Sequence, residues 1–148
     1  MKRLRIIGLL VLSVVVLVLT VACGGGEPIT MSEVPVYPNA EPMAAGENSM
    51  ADMLSETLSG AVGEQLNSEI NLYSLPADAD WTAIEEYYTS ELADTDWEVA
   101  EELAQDNEAV NVMGWSRGGL ASEQVLMIAY SPDMLGEGAF LIVSLFSE

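Results

Sequence analysis

Hydrophobic positions along this chain change rhythm several times, and each rhythm predicts a different element. Ile6 to Ala22 is apolar except for Gly8, Ser13 and Thr20, a run of 17 residues without a period. Across residues 43–63, Met50, Met53, Leu54, Leu58 and Ala61 recur at helical spacing, with Gly46, Gly60 and Gly63 around them. That pattern suits either a short amphipathic helix or a loop. In "SEINLYSL", residues 68–75, Ile70 and Leu72 share one face, with Tyr73 and Leu75 nearby, which predicts a strand that Pro76 ends. "ADADWTAIEEYYTSELAD", residues 77–94, is the strongest helical segment, with Trp81, Ile84, Tyr88 and Leu92 on one stripe that is core by default. Asp78 or Asp80 can cap its start, and Thr82 with Glu85 has the spacing of a capping box.

Strands dominate the remainder. Trp97, Val99 and Leu103 alternate with Glu98 and Glu102, as a half-solvated strand would. Val110 to Ser116 is the next, closed by a turn at Arg117-Gly118-Gly119. Val125–Tyr130 and Ala139–Phe146 are apolar on both faces, so they belong at the centre of the sheet or under cover on both sides. Short links predict an antiparallel meander. The expected fold is therefore α+β and two-layer, one main helix packed on a four- to five-stranded antiparallel meander sheet. "VPVYPNAEP", residues 34–42, leads into it: Pro35, Pro38 and Pro42 predict extended, irregular backbone bordering the sheet.

Charge and the chain start add a second theme. Lys2, Arg3 and Arg5 precede the apolar run, and small residues follow it, the arrangement of a secretory signal. A spanning helix wants about 20 apolar residues, so an uncleaved signal-anchor is the strained alternative. Without residues 1–22, Arg117 faces 24 acidic residues, a side-chain charge of −23. Such a surface repels phosphates and anionic headgroups, which excludes nucleic acid as a partner and gives a solubility role to the charge. High-salt adaptation would leave the same composition.

Cys23 is the single cysteine, so an exported chain has no internal disulfide. A dimeric disulfide, a reactive thiol and covalent lipid attachment remain. A catalytic thiol wants a base, and there is no histidine. Leu19, Val21 and Ala22 end the apolar run directly before Cys23. This resembles the lipobox of bacterial lipoproteins, with Thr20 where leucine or valine is usual. The resemblance implies thioether lipidation of Cys23, cleavage after Ala22 and frequent acylation of the new amino terminus. Residues 1–22 are then signal peptide, 23–33 lipidated cysteine and glycine-rich tether, and 34–148 a single domain. Two or more acyl chains hold a protein stably where one holds marginally. The tether from Gly24 to Val34, 11 residues, reaches about 40 Å stretched and about 20 Å as a coil. The implied location is the extracytoplasmic side of a cell membrane, lipid-anchored.

Pro35-Val36-Tyr37-Pro38-Asn39-Ala40, then Tyr87-Tyr88 with Leu92, then Asp96-Trp97, resemble a recurrent, poorly characterised domain of bacterial envelope lipoproteins. Asp96 stands where that pattern has glycine, which implies left-handed backbone at Asp96. The resemblance implies no established activity.

Chemistry is sparse. Serine triads and the common zinc sites need histidine. Asp94, Asp96 and Glu98 have the first spacings of a calcium loop, but Val99 replaces the sixth-position glycine and Gln105 the twelfth-position glutamate, so the EF-hand reading fails and a solvated turn is expected, with loose calcium binding as the lesser alternative. Arg117 in its turn should pair with a carboxylate; the sharper alternative is contact with an anionic ligand or partner, with Trp115 two positions earlier on the same strand face. No cofactor, metal or catalytic residue is expected. The sequence favours a non-enzymatic module that binds an envelope protein or small ligand, with a structural or assembly accessory as the alternative.

Overall fold

The computed structural model describes residues 27–62, 66–119 and 122–148. The signal segment and Cys23 lie outside the described residues. Among the described residues no helix is long and apolar enough to cross a membrane.

The described residues are α+β, built on one antiparallel sheet of seven strands with two α-helices. In chain order these are β1 (Glu41–Pro42), α1 (Ser49–Val62), β2 (Asn67–Ser74), α2 (Trp81–Leu92), β3 (Glu98–Val99), β4 (Gln105–Asp106), β5 (Asn111–Gly119), β6 (Ser122–Ser131) and β7 (Phe140–Ser147). Strand order is β1-β2-β7-β6-β5-β3, and β4 also pairs with β5. The four to five strands expected become seven for two reasons. The lead-in contributes β1, where Glu41 and Pro42 pair with Ser74 and Tyr73. The strand expected over residues 97–103 breaks into β3, a 3-10 turn at Glu101–Leu103 and β4. Nor is the sheet a pure meander: β5, β6 and β7 follow one another, but β2 returns to β7 from the far side.

β7 and β6 occupy the centre, as their two-sided apolar pattern requires. Leu126, Ile128, Leu141, Val143 and Leu145 join Trp115, Met113 and Tyr73 in one buried cluster, together with Ile84, Tyr88 and Leu92 of α2. The expected stripe of α2 therefore is core. Tyr88 lies 6.2 Å from Trp115 by ring centroid, and Trp81 stacks at 6.2 Å on Tyr130. Asp80 caps the helix, its carboxylate accepting the Ala83 N–H at 2.8 Å; Thr82 and Glu85 fall inside the helix and form no box. Burial pushes the Tyr88 phenol well above its usual pKa, and its hydroxyl has no hydrogen-bond partner among the described residues. The proline-rich lead-in packs on this helix too. Tyr37 meets Tyr87 edge-on at 5.5 Å, and the Tyr87 hydroxyl donates to the Val36 carbonyl at 2.8 Å.

A second cluster forms from the alternate strand positions, Ala129, Phe140 and Ile142, with Ala51 of α1 wholly buried among them. Residues 43–63, open between helix and loop in sequence, thus hold a 14-residue helix. Its start is pinned at the β6–β7 connection. Asn48 accepts the Met50 and Ala51 N–H groups and donates to the Gly138 carbonyl, and the Glu137 carboxylate accepts from the Ser49 amide and hydroxyl.

Two further expectations change. Arg117-Gly118-Gly119 is not the turn: these residues still pair with Gln124, Glu123 and Ser122, and Gly118 takes φ 133, a conformation open to glycine. Asp96 is not left-handed; the non-glycine residue with positive φ among the described residues is Asn39, at φ 60.

Candidate functional site

The candidate site is an open groove on the sheet face that carries α1. Its floor comes from the pairing register. Val112, Ala129 and Ile142 stand side by side across β5, β6 and β7, and Met127 lies in the next row, opposite Gly114. Strand alternation sends these side chains to one face, away from the Trp115 cluster. One wall is α1, through Leu54 and Leu58. The other is the 3-10 turn and β4, through Glu102, Leu103, Gln105 and Asn107. The enclosed volume is about 400 Å³, within the range of small-molecule sites.

Gly114 decides where the second wall stands. Its backbone carbonyl accepts the Ala100 N–H at 2.9 Å, and Leu103 packs where a side chain would be. A Cβ there would lie 2.6 Å from Leu103 Cδ1 and 2.9 Å from Leu103 Cβ. The close approach, made because glycine lacks that atom, bends residues 100–104 over the sheet and breaks the strand expected there. Asn107 then turns the chain toward β5, its Oδ1 accepting the Ala109 and Val110 N–H groups at 3.0 and 2.9 Å.

The groove is apolar on its floor and on the α1 wall, and polar along the 102–107 wall. Glu102 is its one titratable lining group among the described residues. A shallower hollow of about 290 Å³ lies on the other flank of α1, between Pro42, Met43, Ser55 and Ile70–Tyr73. The helix therefore covers the middle of this face and leaves an opening on each side. Among the described residues, no three carboxylates or thiols gather as a metal site.

Arg117 and Trp115 do not line this groove. Trp115 is 2% exposed, inside the cluster beneath α2, and offers nothing to a ligand. Arg117 is already engaged on every side. Its guanidinium donates to the Glu27 carbonyl at 3.1 Å, lies 3.8 Å from the Asp96 carboxylate and sits 5.4 Å over the Trp97 ring. Beside it, Gln124 holds Ile29 by two hydrogen bonds, accepting its N–H at 2.9 Å and donating to its carbonyl at 2.8 Å. Met31 and Val34 follow into the core. Residues 27–33, expected as tether, are thus strapped to the sheet. Asp94, Asp96 and Glu98 make no cluster; Asp96 pairs with Arg117 instead.

The groove residues were not singled out in sequence, although one signal pointed to them. Strands apolar on both faces need cover on both, and a single main helix supplies cover for one. Compared with protein-family models, with curated proteins and with solved structures, the chain has no significant match.

Proposed function

We propose that this chain is a lipid-anchored, non-enzymatic binding protein of a bacterial envelope, which takes a small ligand with an apolar body into the groove between α1 and residues 102–107. In this reading the sheet carries one helix on each face: α2 seals its face, and α1 only partly covers the other.

The observation that carries the binding reading is the groove itself: half-buried Leu54, Leu58, Val112 and Met127 open onto it beside the buried Ala129 and Ile142, in a chain whose other apolar face is closed by aromatic packing. Exposed apolar area in a concave, polar-rimmed site is costly unless something occupies it. The case against catalysis is chemical. General acid–base work pairs two tuned groups, and among the described residues the groove lining contains Glu102 as its single titratable group. The anchor rests on the sequence, through the basic start, the apolar run and Ala22-Cys23. The strap at residues 27–34 supports it, because the folded part then begins shortly after Cys23 in the sequence.

Two experiments test the two halves. Mass spectrometry of the mature amino terminus should find a lipidated Cys23, and Cys23→Ser should move the protein out of the membrane fraction; retention there would refute the anchor. For the groove, a small-molecule screen read by methyl NMR should shift Leu54, Leu58 and Met127 together. Leu58→Glu should remove that response while leaving the Trp115 cluster signals in place. Hits that shift only residues elsewhere would refute the site.

A further inference from the structure

The groove is lopsided in polarity, and that restricts what can fill it. Its floor, Val112, Met127, Ala129 and Ile142, has no side-chain donor or acceptor apart from the methionine sulfur. The α1 wall, Leu54 and Leu58, is equally apolar. Every side chain with a polar end, Glu102, Gln105 and Asn107, stands on the opposite wall. A ligand polar at both ends would leave one end unsolvated, and a wholly apolar one would leave that wall unmatched.

The sign of the polar end follows from the charges. Glu102 is the charged group of the lining, and its carboxylate has no hydrogen-bond or ion-pair partner among the described residues. Asn107 Oδ1 is spent on the turn, which leaves Glu102, Gln105 and the Asn107 amide nitrogen to receive a ligand, with Glu102 the one charged among them. Arg117, the one cation among the described residues, projects with the Trp115 row on the other face and is held there by Glu27, Asp96 and Trp97. An anion entering the groove would meet Glu102 within a strongly negative field and find no compensating cation; a cation meets its counter-charge.

Resting on the reading that the groove takes a small ligand, we propose that this ligand is a cationic amphiphile: an alkyl or aryl body lying on Val112, Met127, Ala129 and Ile142, with an amine at Glu102.

The test uses the full lipidated chain in zwitterionic nanodiscs, titrated at neutral pH with octylamine, 1-octanol and octanoate, each referenced to its free aqueous concentration. The Met127 methyl signal reports occupancy. Octylamine should bind about fivefold more tightly than octanol, the value of one favourable exposed ion pair, and octanoate more weakly than octanol. Glu102→Gln should remove most of the amine's advantage over the alcohol, and added salt should remove it in the parent protein. Equal binding of amine, alcohol and carboxylate would overturn the charge assignment and leave the groove as a ligand site. An amine preference undiminished by Glu102→Gln would also overturn it. Failure of all three compounds to move Met127 would overturn the binding reading itself, and this inference with it.

Discussion

Replacing Gly114 by alanine tests the groove wall directly. The added Cβ would sit 2.6 Å from Leu103 Cδ1 and 2.9 Å from Leu103 Cβ. Swinging the leucine terminus aside relieves the first contact, but the second involves an atom fixed to the backbone, so residues 100–104 must move. Overpacking of this kind costs about 1–3 kcal/mol. Displacement would also strain the Ala100 N–H to Gly114 carbonyl bond, worth about 0.5–1.5 kcal/mol. Against these stands the loss of glycine's freedom in the unfolded chain, which favours alanine by about 0.4–1 kcal/mol. The expected net is destabilisation of about 0.5–4 kcal/mol, with about 2 kcal/mol at the centre, seen as a lower urea midpoint at unchanged slope. Hydrogen exchange should quicken at Ala100 and Leu103 and leave β6 and β7 unaffected. Leu103→Ala alone should also destabilise, but the double variant should lose less than the sum, because the smaller side chain makes room for the new methyl. A Gly114→Ala protein as stable as the parent, or strict additivity with Leu103→Ala, would refute the account of the wall.

Three other outcomes follow from the same geometry. Gln124 is 3% exposed and holds both backbone groups of Ile29; Gln124→Ala should cost about 1–3 kcal/mol and make residues 27–34 protease-sensitive while the sheet stays intact. Asp80→Ala removes the α2 cap and should cost about 1 kcal/mol, read by thermal melting, with a smaller loss for Asp80→Asn. The Glu33 carboxylate accepts from the Thr30 backbone N–H and hydroxyl, which holds its pKa below the ordinary 4.5. A depressed folded value stabilises above the unfolded pKa and loses that contribution as pH falls through the folded one. NMR titration should therefore place the Glu33 midpoint below 4.5, and Thr30→Ala should raise it.

Elements specified by local pattern were legible without tertiary information. The α2 stripe of Ile84, Tyr88 and Leu92 and the cap at Asp80 lie within a dozen residues of one another, where helical geometry alone relates them. The two-sided apolar character of β6 and β7 announced their central place, because only buried strands tolerate it. The absence of histidine and the −23 side-chain charge of the chain after residue 22 narrowed the chemistry from composition alone.

Tertiary structure decided what depends on distant residues meeting. The alternation of Trp97 to Leu103 reads as a strand, yet Leu103 is drawn over Gly114, and no pattern within residues 97–103 reports that opening on β5. Arg117 reads as a cation in want of some carboxylate, but which one, and the Glu27 carbonyl and Trp97 ring that join Asp96 around it, only the fold decides. The groove combines Leu58, Leu103, Val112, Met127 and Ile142 from five separate segments. Each alone is an ordinary core position; only the antiparallel register and the path of α1 bring them to one groove, with Leu58, Leu103, Val112 and Met127 half-buried and Ile142 buried at its base. Periodicity records which face a side chain takes, whereas a site is set by which faces meet and where they fail to close, and that is a property of the packed chain.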